Sequence, residues 1–124
     1  MDRATAHKLV MDYVEGGKEN NKRKILSTLC GNCIIVESHG PAYRGIETVE
    51  SWLDAWISRG SLVNDWDVCS FVFEDDRAAF EWDFTCEDRG ERSQIRGASV
   101  LRFQSRKISE IHEYRMSKQS FDWK

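Results

Sequence analysis

The segment AFEWDFTC, residues 79–86, places a large apolar side chain or a cysteine at every second position. These side chains are Phe80, Trp82, Phe84 and Cys86. Alternation with a period of two is typical of a β-strand that is buried on one face only. Turn-forming residues lie on both sides, in segments 75–76 and 88–91. The segment is therefore predicted to be an inner strand of an antiparallel meander.

The same period continues on both sides of this segment. It predicts a preceding strand over about residues 64–74 and two following strands, residues 93–104 and 108–116, separated by a turn at residues 105–107. The long strand 93–104 carries one predominantly apolar face. Its members are Ile95, Gly97, Ser99, Leu101 and Phe103. Four consecutive strands of this kind indicate an antiparallel sheet with one buried face.

The first half of the chain has helical periodicity instead. Apolar spacing predicts helices over residues 3–16, 23–29 and 46–58, the first of them ended by Gly16-Gly17. Between the second and third helices we expect a short strand, residues 33–38, and a loop, residues 39–45. The fold class is therefore α+β, with a strongly curved antiparallel sheet wrapped on the N-terminal helices. This topology leaves a cone-shaped cavity lined by the aromatic face of the sheet.

Composition excludes several classes of protein. Of the 124 residues, 40% are hydrophobic and 31% are charged, which is typical of a globular domain. The net charge of −3 argues against a nucleic-acid partner. No apolar run approaches the roughly 20 residues that cross a bilayer, and the start lacks an apolar signal segment. We therefore expect no membrane association and a cytoplasmic location.

Four cysteines raise the question of a redox or metal site. Cys30 and Cys33 have C-x-x-C spacing, but they follow a predicted helix and lead into a predicted strand. A reactive pair is expected at a helix N-terminus instead, and a zinc site needs a second pair of ligands. We interpret Gly31-Asn32 as the turn from the helix into the strand, and we expect reduced thiols and no bound metal.

Three segments carry a family resemblance. They are the loop Gly40–Gly45 ahead of a Trp-rich helix, the segment FEWDF at residues 80–84, and the segment GASVLRF at residues 97–103, which is followed by Lys107-Ile108. With them the chain resembles the nuclear-transport-factor-2-like superfamily, which includes SnoaL-like polyketide cyclases and ketosteroid isomerases. The resemblance covers nearly the whole chain and implies a single SnoaL-like domain, residues 1–124, with a cystatin-like α+β roll.

The ketosteroid isomerase pattern is only partly satisfied. Its oxyanion-donating tyrosine falls on Tyr13 and its general base falls on Glu37. Its second acid falls on Ser99, a much weaker hydrogen-bond donor than a carboxylic acid. The resemblance thus implies that Glu37 is a catalytic base, that Tyr13 polarises a carbonyl oxygen, and that Ser99 contacts the substrate.

The last strand supplies further candidates. Alternation groups Glu113 with Arg115, and the resemblance directs this face toward the cavity. Glu113 is the second catalytic candidate, and Arg115 is expected either to bind a polar ligand group or to form a structural ion pair with Glu113. His39 follows the predicted base and is a candidate for ligand binding. The remaining predicted substrate contacts are aromatic residues of the cavity wall, namely Trp56, Trp82 and Phe84.

Two functions fit this pattern. One is an isomerase, cyclase or dehydratase that needs no cofactor and abstracts a proton next to the carbonyl group of a small hydrophobic ligand. The alternative is a module of the same fold that binds a ligand or another protein without turnover. Ala98 and Val100 on the outer sheet face leave room for a contact between two copies, so we expect a homodimer.

Overall fold

Three helices and six strands make up the computed structural model, which describes residues 1–124. In chain order they are α1 (Arg3–Glu19), α2 (Lys22–Leu26), β1 (Leu29–Glu37), β2 (Ala42–Arg44), α3 (Ile46–Ser58), β3 (Leu62–Glu74), β4 (Arg77–Asp88), β5 (Glu91–Gln104) and β6 (Lys107–Arg115). None of the helices is long and apolar enough to span a membrane. The predicted α+β class is confirmed.

All six strands form one curved sheet in the order β2-β1-β6-β5-β4-β3. Strands β3 to β6 form the predicted antiparallel meander. Strand β1 joins this meander beside β6 as the one parallel pair, and β2 pairs antiparallel with β1 at the edge. Helix α1 packs on β3 and α2, while α3 packs on β1. The helices therefore lie against one face of the sheet and leave the other uncovered.

The core lies between α1 and the concave face of the sheet. Ile35, Ile111, Leu101 and Ala78 are partners across four adjacent strands, and each is at most 4% exposed. Registered neighbours in a sheet point to the same face, so these side chains form one continuous apolar row. Val10 of α1 belongs to the same buried cluster. Burial of this row against the helix fixes which face of each strand points inward.

The prediction that Gly16-Gly17 ends the first helix is wrong. Helix α1 continues to Glu19 and ends at Asn20, which has a left-handed backbone (φ 52°) and donates its N–H to the last-turn carbonyls. A Cβ on Gly16 would lie 2.7 Å from Cγ1 of Ile25, and one on Gly17 would lie 2.7 Å from the ring of Trp66. Both glycines therefore allow other elements to approach the helix.

Two boundaries in the next segment also differ from the sequence prediction. Helix α2 ends at Leu26, and β1 already begins at Leu29, so Cys30 and Cys33 lie within the strand. The register of β1 with β6 shifts between Leu29 and Ile34, so this part of the strand is irregular rather than a turn from the helix. Residues 42–44, predicted as loop, form β2 because the chain folds back to pair with β1.

We expect Gly16→Ala to destabilise the protein. Alanine favours a helix by about 1 kcal/mol over glycine, but the added Cβ would also lie 3.0 Å from the backbone nitrogen of Ile25. The clash should dominate and lower the free energy of unfolding by about 1–3 kcal/mol in urea titrations. The matched control is Gly31→Ala, which adds a methyl group in open space. Equal stability of the two variants would contradict this account of the α1–α2 contact.

Candidate active site

A cavity of about 640 Å³ opens between the concave sheet face, α1 and α3. Seven aromatic residues contribute to its walls. The rings that line it belong to Tyr13, Tyr43, Trp52, Trp56, Trp66, Trp82 and Phe84. A volume of this size with apolar walls is typical of sites for small organic molecules.

Three polar side chains lie in a row across the sheet next to the apolar core row. Glu37 of β1 is the partner of Glu113 of β6, and Glu113 is in turn the partner of Ser99 of β5. Because registered neighbours share a face, all three point to the concave side. Each is two residues along its strand from a core residue, so the polar row borders the hydrophobic core. Glu37 and Glu113 line the cavity.

Glu113 is the most perturbed carboxyl group of this row. Its pKa is raised to about 7, mainly by burial and secondly by the negative charge of Glu37. The Ser99 hydroxyl opposes both effects and lowers the pKa. Near neutral pH the group is therefore present in both its protonated and its ionised form, which is what a proton-transfer group requires.

Glu37 has a more polar environment than Glu113. Burial raises its pKa, whereas the nearby charges of His39 and Arg115 lower it. The Nε2 atom of His39 lies 3.1 Å from Oε2 of Glu37. Both basic side chains are exposed and line the cavity, so Glu37 lies toward the entrance. The two carboxyl groups are therefore neighbours with different surroundings.

Tyr13 brings a hydroxyl group to the same end of the cavity. Its side chain is 5% exposed, and burial raises its pKa well above the ordinary value, with further contributions from the charges of Glu113 and Glu37. The phenol is therefore neutral at any physiological pH and can donate a hydrogen bond. Its ring contacts Trp66 edge to face, with centroids 5.9 Å apart, which fixes its position.

Ser99 is not placed as expected from the sequence. It is completely buried and does not line the cavity, so it does not present its hydroxyl to a ligand. Instead it accepts a hydrogen bond of 2.9 Å from Nε1 of Trp82. A Cβ on Gly97 would lie 2.7 Å from this indole ring. The missing side chain of Gly97 therefore gives the indole the space that it occupies beside Ser99.

Other wall residues agree with the sequence prediction or were missed by it. Trp56, Trp82 and Phe84 line the cavity as expected. Trp66 was missed, because the register of β3 shifts on both sides of it and simple alternation does not assign its face. Tyr43 was missed because it was placed in a loop. It lines the cavity and stacks on a tryptophan of α3.

An ion pair closes part of the cavity rim. The Arg59 guanidinium donates two hydrogen bonds to the Asp88 carboxylate, at 2.7 and 3.2 Å, and the Ser61 hydroxyl donates to the same group. Arg59 also lies over the ring of Trp56, 5.5 Å from its centroid. These contacts join the end of α3 to the β4–β5 hairpin. The sequence gives no signal for them, because the ion-pair partners are 29 residues apart.

The chemistry available at this site is acid–base chemistry. No group of three or more His, Cys, Asp or Glu side chains is arranged to hold a metal ion. What the cavity offers is one carboxyl group that titrates near pH 7, a second carboxyl beside it, and a neutral phenol. Together they can move a proton on a bound molecule and donate a hydrogen bond to the atom that becomes negative.

Solved structures share this fold. A protein of unknown function with a cystatin-like fold from Methylobium petroleophilum PM1 is 25% identical, covers 97% of this chain and 81% of its own, and superposes with a TM-score of 0.76. An epoxide hydrolase of the LEH-like type from M. tuberculosis is 12% identical, with 91% and 84% covered and a TM-score of 0.82. A protein with a ketosteroid isomerase-like fold from Catenulispora acidiphila is 15% identical, with 86% and 83% covered and a TM-score of 0.75.

The sequence comparisons are consistent with these folds. No curated protein sequence matches the chain. Residues 10–111, which include most of α1, Glu37, Ser99 and most of the sheet, match the family described as the SnoaL-like domain. The chain therefore belongs to the SnoaL-like domain family.

Proposed function

We propose that this protein binds a small, largely apolar carbonyl compound and moves a proton at the carbon next to the carbonyl group. It would thus be an isomerase, cyclase or dehydratase that works without a cofactor. The observation that carries the proposal is Glu113, a carboxyl group with a pKa of about 7 in an aromatic cavity, close to the neutral hydroxyl of Tyr13. Membership of the SnoaL-like family is consistent with it.

In the proposed step, the Glu113 carboxylate accepts the proton from the carbon atom. The electron pair of the C–H bond moves into an enolate, and the negative charge develops on the carbonyl oxygen. Tyr13 donates a hydrogen bond to this oxygen and keeps its own proton, because its pKa is far above that of Glu113. Glu113 then returns the proton to the same or another carbon atom, so the protein is unchanged at the end.

Both carboxyl groups remain candidates for the base, but the surroundings favour Glu113. The charge of His39, when its ring is protonated, and the charge of Arg115 stabilise the ionised form of Glu37 and weaken it as a base. Glu113 has no cation among the influences on its pKa, and its negative neighbour Glu37 makes it more basic. We therefore assign proton transfer to Glu113 and electrostatic tuning to Glu37.

A Glu113→Gln variant tests the assignment. The wild-type protein should accelerate hydrogen–deuterium exchange at the α-carbon of an enolisable ketone such as 2-tetralone in D₂O, measured by mass spectrometry. The variant should lose this acceleration by about 100-fold or more, because general base catalysis contributes on that order. Glu110→Gln is the matched control, since Glu110 pairs with Arg102 outside the cavity and the exchange should persist. Exchange by Glu113→Gln at the wild-type rate would contradict the proposal.

The pH dependence distinguishes the two carboxyl groups. The exchange rate should rise with pH through about 7, as Glu113 loses its proton. Because the charge of Glu37 raises the pKa of Glu113, Glu37→Gln should keep exchange activity and move this midpoint to lower pH. Loss of activity in Glu37→Gln, with activity kept in Glu113→Gln, would reverse the assignment.

We also propose that two copies associate through the outer sheet face. Val72, Ala79 and Val100 are partners across three strands and form an apolar row on this face, with Val72 64% exposed. Ala98 and the 56% exposed Tyr114 are partners beside it. An apolar row with no helix over it supports a contact between two identical faces.

Light scattering after gel filtration tests this proposal. The wild-type protein should have the mass of a dimer at micromolar concentration. Val100→Glu should give a folded monomer, because it places a charge within the apolar row. Gln94→Glu, an exposed position further along the same strand, is the control and should remain dimeric. A monomeric wild-type protein would exclude the association.

A further inference from the structure

The side chains of Trp82, Ser99 and Glu113 lie in series from the cavity wall to the proposed base, and we call them the Trp82–Ser99–Glu113 series. Trp82 donates its indole N–H to the Ser99 hydroxyl at 2.9 Å, and both side chains are buried, at 7% and 0% exposure. Ser99 is the direct cross-strand partner of Glu113. Side chains in such a pair have Cβ atoms about 5 Å apart, so the hydroxyl lies beside the Glu113 carboxyl group.

The hydrogen-bonding capacity of these groups determines which of them donates and which accepts in the Trp82–Ser99–Glu113 series. An indole N–H only donates, so Ser99 must use an oxygen lone pair for Trp82. The single hydroxyl proton of Ser99 is then free for a second partner, and the carboxylate of Glu113 is the acceptor beside it. A hydroxyl proton that is donated to this carboxylate is not available to a bound ligand.

Gly97 fixes the position of the Trp82 indole. A Cβ at this position would collide with the backbone carbonyl of Tyr114 and would lie 2.7 Å from Cζ2 and Cη2 of Trp82. The indole therefore lies in the space above β5 that a side chain would otherwise fill. Close packing of a rigid ring leaves it little freedom, so its N–H stays aimed at Ser99.

We propose that Ser99 and Trp82 are positioning residues that orient the Glu113 carboxyl group and set its proton affinity, without touching the ligand through the Ser99 hydroxyl. Ser99 acts directly on Glu113, and Trp82 acts through Ser99. The inference rests on the proposed function only in naming Glu113 as the base. Its measurable consequence, the titration of one carboxyl group, exists without any substrate.

Charged or titratable groups on the surrounding elements line the same end of the cavity as Glu113. They are Tyr13 of α1, Glu37 of β1, His39 of the following loop, Tyr43 of β2 and Arg115 of β6. Glu37 raises the pKa of Glu113, and the Ser99 hydroxyl lowers it. A substitution at Ser99 leaves all five of these groups in place, so a change in the titration of Glu113 reports the loss of the hydroxyl.

Carbon-13 NMR of the side-chain carboxyl groups measures this titration directly. The Glu113 resonance is identified as the one missing from Glu113→Gln, and the wild-type midpoint is expected at about pH 7. Ser99→Ala should move it upward by about one pH unit, because a hydrogen bond to a charged group has roughly this effect. Ser93→Ala, an exposed residue of the same strand, is the matched control and should titrate as the wild-type protein does. A wild-type midpoint in Ser99→Ala would overturn the inference.

A double-mutant cycle separates the action of the indole N–H from the bulk of the ring. Trp82→Phe should raise the Glu113 midpoint more in the wild-type background than in Ser99→Ala, because only the former has a hydroxyl for Trp82 to orient. Equal shifts in both backgrounds would mean that Trp82 acts by excluding water alone, and would overturn its assigned role.

These experiments distinguish a failure of the positioning role of Ser99 from a failure of the proposed function. If Glu113→Gln keeps full exchange activity while Ser99→Ala shifts the titration, the proposed function is wrong and the positioning role of Ser99 is supported. If Glu113→Gln abolishes exchange while Ser99→Ala titrates like the wild-type protein, the proposed function is supported and the positioning role of Ser99 is wrong.

Discussion

The register of the parallel pair β1–β6 is the constraint on which the site depends. It places Glu37 beside Glu113, and it does so because Ile35 and Ile111, two residues before them, are paired in the fully buried core. A shift of the register by one residue would turn an entire strand face from the core to the outside. The apolar row thus holds the two acidic side chains together although their mutual repulsion opposes the arrangement.

Burial and mutual repulsion both disfavour the ionised forms of these two acids. Removing a carboxylate from water disfavours its ionised form, and two neighbouring carboxylates disfavour it further. The protein offsets this differently at the two positions: the basic side chains of His39 and Arg115 lie near Glu37, whereas a neutral hydroxyl lies beside Glu113. Environments that differ in this way allow two identical side chains to have separate roles within one cavity.

Much of the fold follows from local sequence periodicity. The alternation from Phe80 to Cys86 correctly identified the buried face of β4, and the same rule placed Glu113 on the face of Ile111, which the family resemblance directed toward the cavity. The end of α1 could not be predicted from this periodicity. The end of α1 depends on Ile25 and Trp66, which come later in the chain and approach the glycines only in the folded state.

Candidate site residues show the same division. The inward face of β5 was predicted correctly, but whether Ser99 on that face touches the cavity depends on the indole of Trp82, which lies over the neighbouring strand. Periodicity assigns a side chain to a face, whereas depth below that face is decided by the volume of its neighbours. The Arg59–Asp88 contact at the rim is likewise a product of tertiary structure.

That contact at the rim bears on how long a bound molecule stays. Arg59 and Asp88 each keep about 30% of their side-chain surface in water, and an ion pair exposed to this extent contributes about 1 kcal/mol or less. Thermal motion will therefore break this side-chain contact frequently, although the pairing of Leu62 with Glu87 keeps the end of α3 beside β4. The ion pair is then a minor barrier to passage across the rim, and contacts with the aromatic side chains would govern how long a molecule stays in the cavity.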